Sequence, residues 1–178
     1  DLNDLYLKTR EEAGYFGPKM FFKKIKEIYK LEVDDDFFQK VVLESEIFLE
    51  KLYEETEEII GKLAKNKELT IGIFSGGEDD FQLRKIKNIS HLFHKDHINI
   101  HIYKVKRISD LISKYKNQKL ILVDDILRIL HKSKNFDKNL ITVWIKRGRL
   151  ALAEQKIKNF KPDYEISSLR EIIDIIEK

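Results

Sequence analysis

Residues 120–125 read LILVDD, and this stretch decides the fold class. Four apolar residues in a row lead to two carboxylates, which is typical of a buried strand whose polar residues begin at its carboxyl end. Residues 141–145, ITVWI, repeat the pattern, because every side chain there is apolar or β-branched. Strands of this kind are covered by helices on both faces of a parallel sheet. The two stretches therefore predict an α/β fold.

Short apolar runs alternate with helical patterns in the second part of the chain. The runs cover residues 69–74, 98–105, 120–123 and 140–145, with a weaker one at 164–166. This alternation predicts βα units and hence an open, doubly wound parallel sheet. In such a sheet the functional groups gather at the carboxyl ends of the strands.

The N-terminal third of the chain has a different composition and a different spacing of apolar residues. Residues 9–69 are rich in Glu, Lys and aromatic side chains, and their apolar residues recur at spacings of three and four. The pattern predicts consecutive amphipathic helices, and the acidic run at 34–36 offers N-cap carboxylates to one of them. We therefore expect a helical cap, residues 11–66, inserted into an α/β core made of residues 1–10 and 67–178.

Composition excludes several classes of site. The 178 residues include 34 Lys and Arg against 31 Asp and Glu, a formal net charge of +3, and no Cys. Without Cys there is no disulfide framework, thiolate metal site or cysteine nucleophile. No apolar run approaches the roughly 20 residues that a membrane helix needs, and the near-balanced charge does not favour a nucleic-acid partner. We expect a cytoplasmic protein without a membrane segment; the sequence indicates no oligomeric state.

Polar residues follow the predicted strands where each one ends. They are Ser75 with Gly76 and Gly77, then Lys104 and Lys106, then Asp124 and Asp125, and a further carboxylate, Asp1, stands at the start of the sequence. An Asp attacks phosphorus or holds magnesium, Ser and glycine amides hold phosphoryl oxygens, and Lys neutralises their charge. Together these residue types predict phosphate chemistry at the carboxyl ends of the strands.

Longer stretches carry a resemblance to a known family. Residues 69–86 run from LTIGIFSGGE into a helix, residues 122–126 read LVDDI, and residues 141–148 and 161–169 read ITVWIKRG and KPDYEISSL. In that order they look like the second motif, the paired-Asp fourth motif and the closing strand, loop and last helix of the haloacid dehalogenase-like hydrolase superfamily. The resemblance covers nearly the whole chain. It implies a Rossmann-like core with a helical cap between the first and second motifs.

The resemblance also implies a role for each candidate residue. Asp1 would be the nucleophile that becomes an aspartyl-phosphate and would also ligate Mg²⁺, as would the backbone carbonyl of Asn3. Ser75, with the amide of Gly76, would hold the transferring phosphoryl oxygens.

A lysine after the second strand would neutralise the nucleophile and the phosphate. Alternation along a strand places Lys104 and Lys106 on the same face, and we favour Lys106 because it directly precedes the helix predicted near Ser109. In the resemblance, Asp125 with help from Asp124 would complete the magnesium site.

The first motif, residues 1–5, DLNDL, departs from the family pattern. Asn3 stands where phosphatases of the family carry the general-acid Asp, and Leu5 stands where Thr or Val is usual. The central strand that should precede Asp1 is absent from the sequence, so we expect further residues before Asp1.

The sequence thus predicts a magnesium-dependent phosphatase that acts on a small phosphorylated metabolite. Two alternatives stay open. Asn3 and Leu5 are compatible with a non-catalytic or weakly active binding protein of the same fold. Dehalogenases of the family also lack the second Asp and attack carbon without magnesium. The paired carboxylates Asp124 and Asp125 favour a bound cation that screens them, which argues against the dehalogenase.

Overall fold

The structure, a computed structural model, describes residues 2–13, 15, 17–38, 40, 52–153 and 156–177. Helices alternate with short parallel strands, which confirms the predicted α/β class. The chain divides into two compact units, Asp1–Lys104 and Val105–Lys178. Among the described residues, the first unit contains a sheet of two strands and the second a sheet of three.

The first unit begins with helices. In the described part of its N-terminal region these are α1 (Leu2–Ala13), α2 (Pro18–Tyr29), α3 (Asp35–Phe38) and α4 (Thr56–Lys65). At the start of α3 the Asp34 carboxylate accepts a hydrogen bond from the Phe37 N–H at 2.7 Å, which confirms the predicted cap. The limits of the helical insert remain a prediction, since residues 41–51 lie outside the described residues.

Two parallel strands and a short helix complete the first unit. The strands are β1 (Ile73–Gly76) and β2 (Ile98–His101), and the helix between them is α5 (Asp79–Lys85), followed by the single 3₁₀ turns Ser90–Leu92 and Lys95–His97. In register, Ile73 pairs with Ile98 and Gly76 with His101. Among the described residues of this unit, the buried aliphatic and aromatic side chains are Ile59 and Leu63 of α4, Phe81 of α5, and Ile89. Burial of these side chains stabilises the unit.

The second strand is shorter than the sequence predicts. The apolar pattern continues to Val105, but β2 ends at His101, and Lys104–Arg107 form a 3₁₀ turn. His101 is opposite Gly76, the last residue of β1, so β2 has no partner on that side beyond this point. Tyr103 is accordingly 47% exposed despite its apolar ring.

The second unit is a three-stranded parallel sheet with helices. Its elements are α6 (Ile108–Lys114), β3 (Ile121–Asp124), α7 (Leu127–Phe136), β4 (Ile141–Ile145), α8 (Gly148–Ala153), β5 (Tyr164–Ile166), a 3₁₀ turn (Leu169–Glu171) and α9 (Ile172–Ile176). The strand order is β3-β4-β5. Helix α7 packs on β3 and β4, and Ile129, Leu130 and Val143 are buried in this core.

Asp163 connects the last two strands of this sheet. Its carboxylate accepts hydrogen bonds from the Thr142 N–H at 2.8 Å and from the Thr142 hydroxyl at 2.7 Å. The ammonium of Lys134, on α7, donates to the same oxygen at 2.7 Å. Burial raises the pKa of Asp163, but the bonds from Lys134 and Thr142 outweigh it and hold the pKa below its ordinary value.

In the part of the chain that the structure describes, no helix combines the length and the apolar character needed to cross a bilayer.

Candidate functional site

The Ser75-Gly76-Gly77 turn lies at the carboxyl end of β1, as the sequence predicts, although β1 covers Ile73–Gly76 rather than the predicted run at 69–74. The Gly77 N–H donates to the His101 carbonyl of β2 at 3.1 Å. Because successive N–H groups of a strand point to opposite edges, the Gly76 N–H is directed to the edge of β1 away from β2. Gly77 has a φ of +136°, a backbone conformation that glycine adopts without strain. The turn therefore presents a backbone N–H and a hydroxyl at the end of the strand.

The Ser75 hydroxyl has a partner on the next helix. It donates a hydrogen bond to Oε1 of Gln82, on α5, at 3.1 Å. The same amide lies against Gly77, where an added Cβ would be 2.6 Å from Nε2 of Gln82. A side chain at position 77 would therefore be strained by the backbone conformation, and the Gln82 amide would have to shift to make room for it.

Lys104 lies against the other face of β1. A Cβ at Gly76 would be 3.2 Å from Cβ of Lys104, and the Lys104 ammonium lies 5.2 Å from the centre of the Phe74 ring. Phe74 and Gly76 share a face because side chains alternate along a strand. The absence of a side chain at Gly76 therefore leaves room for the Lys104 stem beside the turn.

Lys106 has a different setting. It belongs to the second unit and its side chain is exposed. The premise that Lys104 and Lys106 share a strand face was wrong, because both lie in a 3₁₀ turn, which does not alternate as a strand does. Within the first unit, Lys104 lies next to Gly76 of the Ser75-Gly76 turn.

Glu78 joins this turn to helix α2. Burial raises the pKa of Glu78, although a hydrogen bond from the Lys19 backbone N–H and the Lys19 ammonium oppose the rise. Its Oε1 lies next to Gly17, the residue before α2, and its Oε2 is buried without a hydrogen-bond partner. Burial also raises the pKa of the nearby Tyr15, with contributions from the Glu78 charge and from Tyr103. The carboxylate of Glu78 thus accepts a hydrogen bond from the Lys19 N–H, which lies in the first turn of α2 and has no partner within the helix.

Asp124 and Asp125 lie at the end of β3, where the sequence predicts them. The Asp124 side chain is 5% exposed, and its Oδ1 accepts a hydrogen bond from the Ile126 N–H at 2.9 Å. Part of its role is therefore to shape the turn that leads into α7. The Asp125 side chain is partly buried beside it. Adjacent carboxylates supply the hard oxygen donors that Mg²⁺ prefers.

Trp144 supports the Asp pair from the neighbouring strand. Its indole Nε1 donates to the backbone carbonyl of Asp125 at 3.1 Å, and its register partner on β3 is Asp124. The ammonium of Lys146 lies 5.2 Å from the centre of the Trp144 ring. The position of the Asp125 carbonyl is thus held by a side chain of β4.

The first predicted motif is only partly described. Asp1 lies outside the described residues, and Asn3 lies in the first turn of α1. Within the described residues no three His, Asp or Glu side chains gather as a cation site would require. Of the predicted acidic ligands, the structure describes the side chains of Asp124 and Asp125, and magnesium binding by all of the predicted ligands stays a prediction.

Two further residues, one in each unit, were not singled out by the sequence. Gln82 lies seven positions after Ser75, and the only signal was its place in the first turn of the helix that follows a strand-ending glycine turn. Trp144 is the single Trp of the chain, but it sits within a buried strand pattern that indicates core packing. Their contacts depend on hydrogen-bond geometry, which periodicity does not encode.

Comparison with known proteins identifies the fold. No protein-family model matches the chain, and no curated protein matches it. A crystal structure from Burkholderia xenovorans LB400, provisionally described as a haloacid dehalogenase-like hydrolase, superposes with a TM-score of 0.74. The match covers 99% of this chain and 81% of that chain, at 20% sequence identity. The chain therefore has the fold of the haloacid dehalogenase-like hydrolases.

Proposed function

We propose that this protein is a hydrolase, and specifically a magnesium-dependent phosphatase that acts on a small phosphorylated metabolite in the cytoplasm. The observation that carries the proposal is the turn at the end of β1. There Ser75 offers a hydroxyl, Gly76 an N–H directed away from β2, and Lys104 a cation whose stem lies on the same glycine. Hydroxyl, amide and ammonium groups are the donors that recognise phosphoryl oxygens.

In the proposed reaction Ser75 and Gly76 hold two phosphoryl oxygens. Lys104, rather than Lys106, neutralises their charge, because its stem already lies on the glycine of the turn. Its ammonium must leave the Phe74 ring to do so. A cation–π contact at a partly exposed site is worth about 0.5–1 kcal/mol, which is less than a charge-assisted bond to a phosphate, at about 1.5–3 kcal/mol.

Asp124 and Asp125 are proposed to hold Mg²⁺, together with Asp1 and the carbonyl of Asn3. The donor chemistry fits, because carboxylate and carbonyl oxygens are the ligands of a hard divalent cation. When bound, Mg²⁺ supplies charge stabilisation for the phosphoryl group. The hydrogen bonds from Ile126 and Trp144 orient the turn that carries the two carboxylates.

Asp1 is proposed to attack phosphorus in line with the leaving group. The oxygen–phosphorus bond of the substrate breaks as the bond to the Asp1 carboxylate forms, and water then hydrolyses the aspartyl-phosphate. Asn3 is a neutral amide and does not donate a proton to a leaving alkoxide. Protonation of the leaving group by a general acid commonly raises the reaction rate about 10²–10⁴-fold. Acyl and aryl phosphates, whose leaving groups need little protonation, are therefore the expected good substrates.

Hydrolysis assays on three substrates separate this proposal from its alternatives. The full-length protein is incubated with acetyl phosphate, p-nitrophenyl phosphate and chloroacetate, with and without magnesium, beside Asp1→Asn. Phosphate release that needs magnesium and is lost in Asp1→Asn supports the phosphatase. A folded protein that is inert with all three supports the binding protein, and chloride release without magnesium supports the dehalogenase.

A further inference from the structure

The amide of Gln82 touches the candidate phosphate-binding turn at two points. Oε1 accepts the hydrogen bond from the Ser75 hydroxyl at 3.1 Å. The rest of the amide covers the backbone of Gly77, with Nε2 only 2.6 Å from where a Cβ would be. Neither contact has a part in the roles described so far. Gln82 is thus the side chain that sets the surroundings of the Ser75 hydroxyl on this face of β1.

The local sequence explains why Gln82 reaches this position. The Gln82 N–H donates to the Glu78 carbonyl at 3.0 Å, which places it in the first turn of α5. Helical side chains lean toward the N-terminus of their helix, so the Gln82 side chain is directed back to the strand end. Gly77, which has no side chain, leaves the space that the amide occupies.

The amide of Gln82 is able to control the direction of the Ser75 hydroxyl proton, which matters if that hydroxyl binds an anion. A Ser hydroxyl has one proton and rotates freely, whereas the terminal amide of Gln has one accepting and one donating group. With Oε1 toward Ser75, the amide takes the hydroxyl proton. With Nε2 toward Ser75, the amide donates to Oγ, and the hydroxyl proton is then available to a phosphoryl oxygen. A half-turn of the amide therefore switches Ser75 between these two states.

We propose that Gln82 is a positioning residue that orients the Ser75 hydroxyl for binding a phosphoryl oxygen. The proposal rests on the proposed function, since it takes the Ser75-Gly76 turn as the phosphate site. Gln82 acts through Ser75 and not on phosphate itself. Its contribution must therefore disappear when the Ser75 hydroxyl is removed, whereas support of the Gly77 backbone would persist.

A double-mutant cycle tests this dependence. The variants are Gln82→Met, which keeps the volume without hydrogen bonding, Ser75→Ala, and the two together. Gln118→Met is the matched control, because Gln118 is exposed and lies in the second unit. Binding of inorganic phosphate is measured by calorimetry in the presence of magnesium, and kcat and KM are measured with p-nitrophenyl phosphate.

Gln82→Met is expected to weaken phosphate binding about five- to tenfold, the effect of one lost hydrogen bond. In the Ser75→Ala background the same change is expected to have no further effect, and Gln118→Met is expected to bind as the wild type does. Gln82→Glu, an isosteric variant that only accepts when ionised, is expected to weaken binding at least as much. If Gln82→Met does not fold, Gln82→Glu replaces it in the double-mutant cycle.

An equal loss in both backgrounds would overturn the proposal, because Gln82 would then act independently of Ser75. Unchanged phosphate binding in Gln82→Met would overturn it too, as would a wild type that binds no phosphate. Failure of the proposed function looks different. A wild type that binds phosphate but does not turn over p-nitrophenyl phosphate contradicts the phosphatase, and the binding cycle then still decides the role of Gln82.

Discussion

The indole Nε1 of Trp144 donates a hydrogen bond to the backbone carbonyl of Asp125 at 3.1 Å. This bond crosses from β4 to the turn after β3 and connects the packed sheet to Asp125, one of the proposed magnesium ligands. Mutation of a group that orients a metal ligand from outside commonly lowers metal affinity about 10- to 100-fold. The bond therefore provides a direct way to examine the magnesium proposal.

Trp144→Phe keeps an aromatic ring in the sheet but removes the donor. We expect the apparent magnesium affinity in p-nitrophenyl phosphate turnover to fall about tenfold, with the far-ultraviolet circular dichroism unchanged. The single Trp also allows magnesium binding to the wild type to be followed by fluorescence. An unaltered magnesium dependence in the variant would show that this bond does not serve a metal site.

Lys104→Met and Lys106→Met separate the two candidate lysines. We expect Lys104→Met to lower kcat/KM about 10²-fold, because a cation facing developing charge is lost. Lys106→Met is expected to stay within about twofold, as is usual for an exposed charge outside a site. Steady-state kinetics with acetyl phosphate measure both. The reverse order would return the role to Lys106, the residue that the sequence favours.

Gly77→Ala is expected to destabilise the protein by about 1–3 kcal/mol, because a side chain there is strained at a φ of +136° and meets Gln82. Gly61→Ala is the matched control. Gly61 lies in α4 with no atom within 4 Å of the added Cβ, so this change is expected to stabilise by about 0.5–1 kcal/mol. Urea unfolding of both variants gives the comparison, and a Gly77→Ala protein as stable as the wild type would count against the described turn.

Asp163→Asn is expected to lower the free energy of unfolding by about 1 kcal/mol at pH 7, a discounted value because the side chain is 35% exposed. The pKa of Asp163 is lowered in the folded protein. Its stabilisation is therefore present above the ordinary pKa of Asp and is lost as the pH falls through the folded pKa.

The difference between wild type and Asp163→Asn should accordingly shrink as the pH is lowered from 7 into that acidic range. Asp174→Asn, at an exposed position of α9, is the control. Its free energy of unfolding should differ little from that of the wild type at either end of the pH range. Urea unfolding at several pH values measures the difference. A gap that is constant with pH would contradict the ion pair with Lys134.

The strands could be predicted from the sequence where burial requires a continuous run of apolar or β-branched residues. β4 (Ile141–Ile145) lies within the predicted run at 140–145, and β5 (Tyr164–Ile166) has the predicted limits. The run at 98–105 was predicted too long, because apolar alternation does not tell whether a partner strand is present, and β1 ends opposite His101.

The site could be predicted only in part. Ser75, Gly76 and Asp124 could be predicted as candidates, because a single sequence shows which polar residues directly follow the apolar runs of buried strands. The sequence did not predict that Lys104 and Lys106 lie in a 3₁₀ turn, and which of the two lysines acts stays a proposal. The contact of Gln82 with Ser75, seven positions earlier, could not be predicted, because it depends on a side-chain hydrogen bond that only the structure shows.

Acid trapping of the phosphoryl group on the chain tests the central claim most directly. The full-length protein is mixed with radiolabelled acetyl phosphate and magnesium, quenched rapidly with acid and digested, and the labelled peptide is sequenced. We predict label on Asp1, and none in Asp1→Asn or in the wild type without magnesium. Label on another residue, or phosphate release from a wild-type chain that never carries label, would contradict the proposed mechanism.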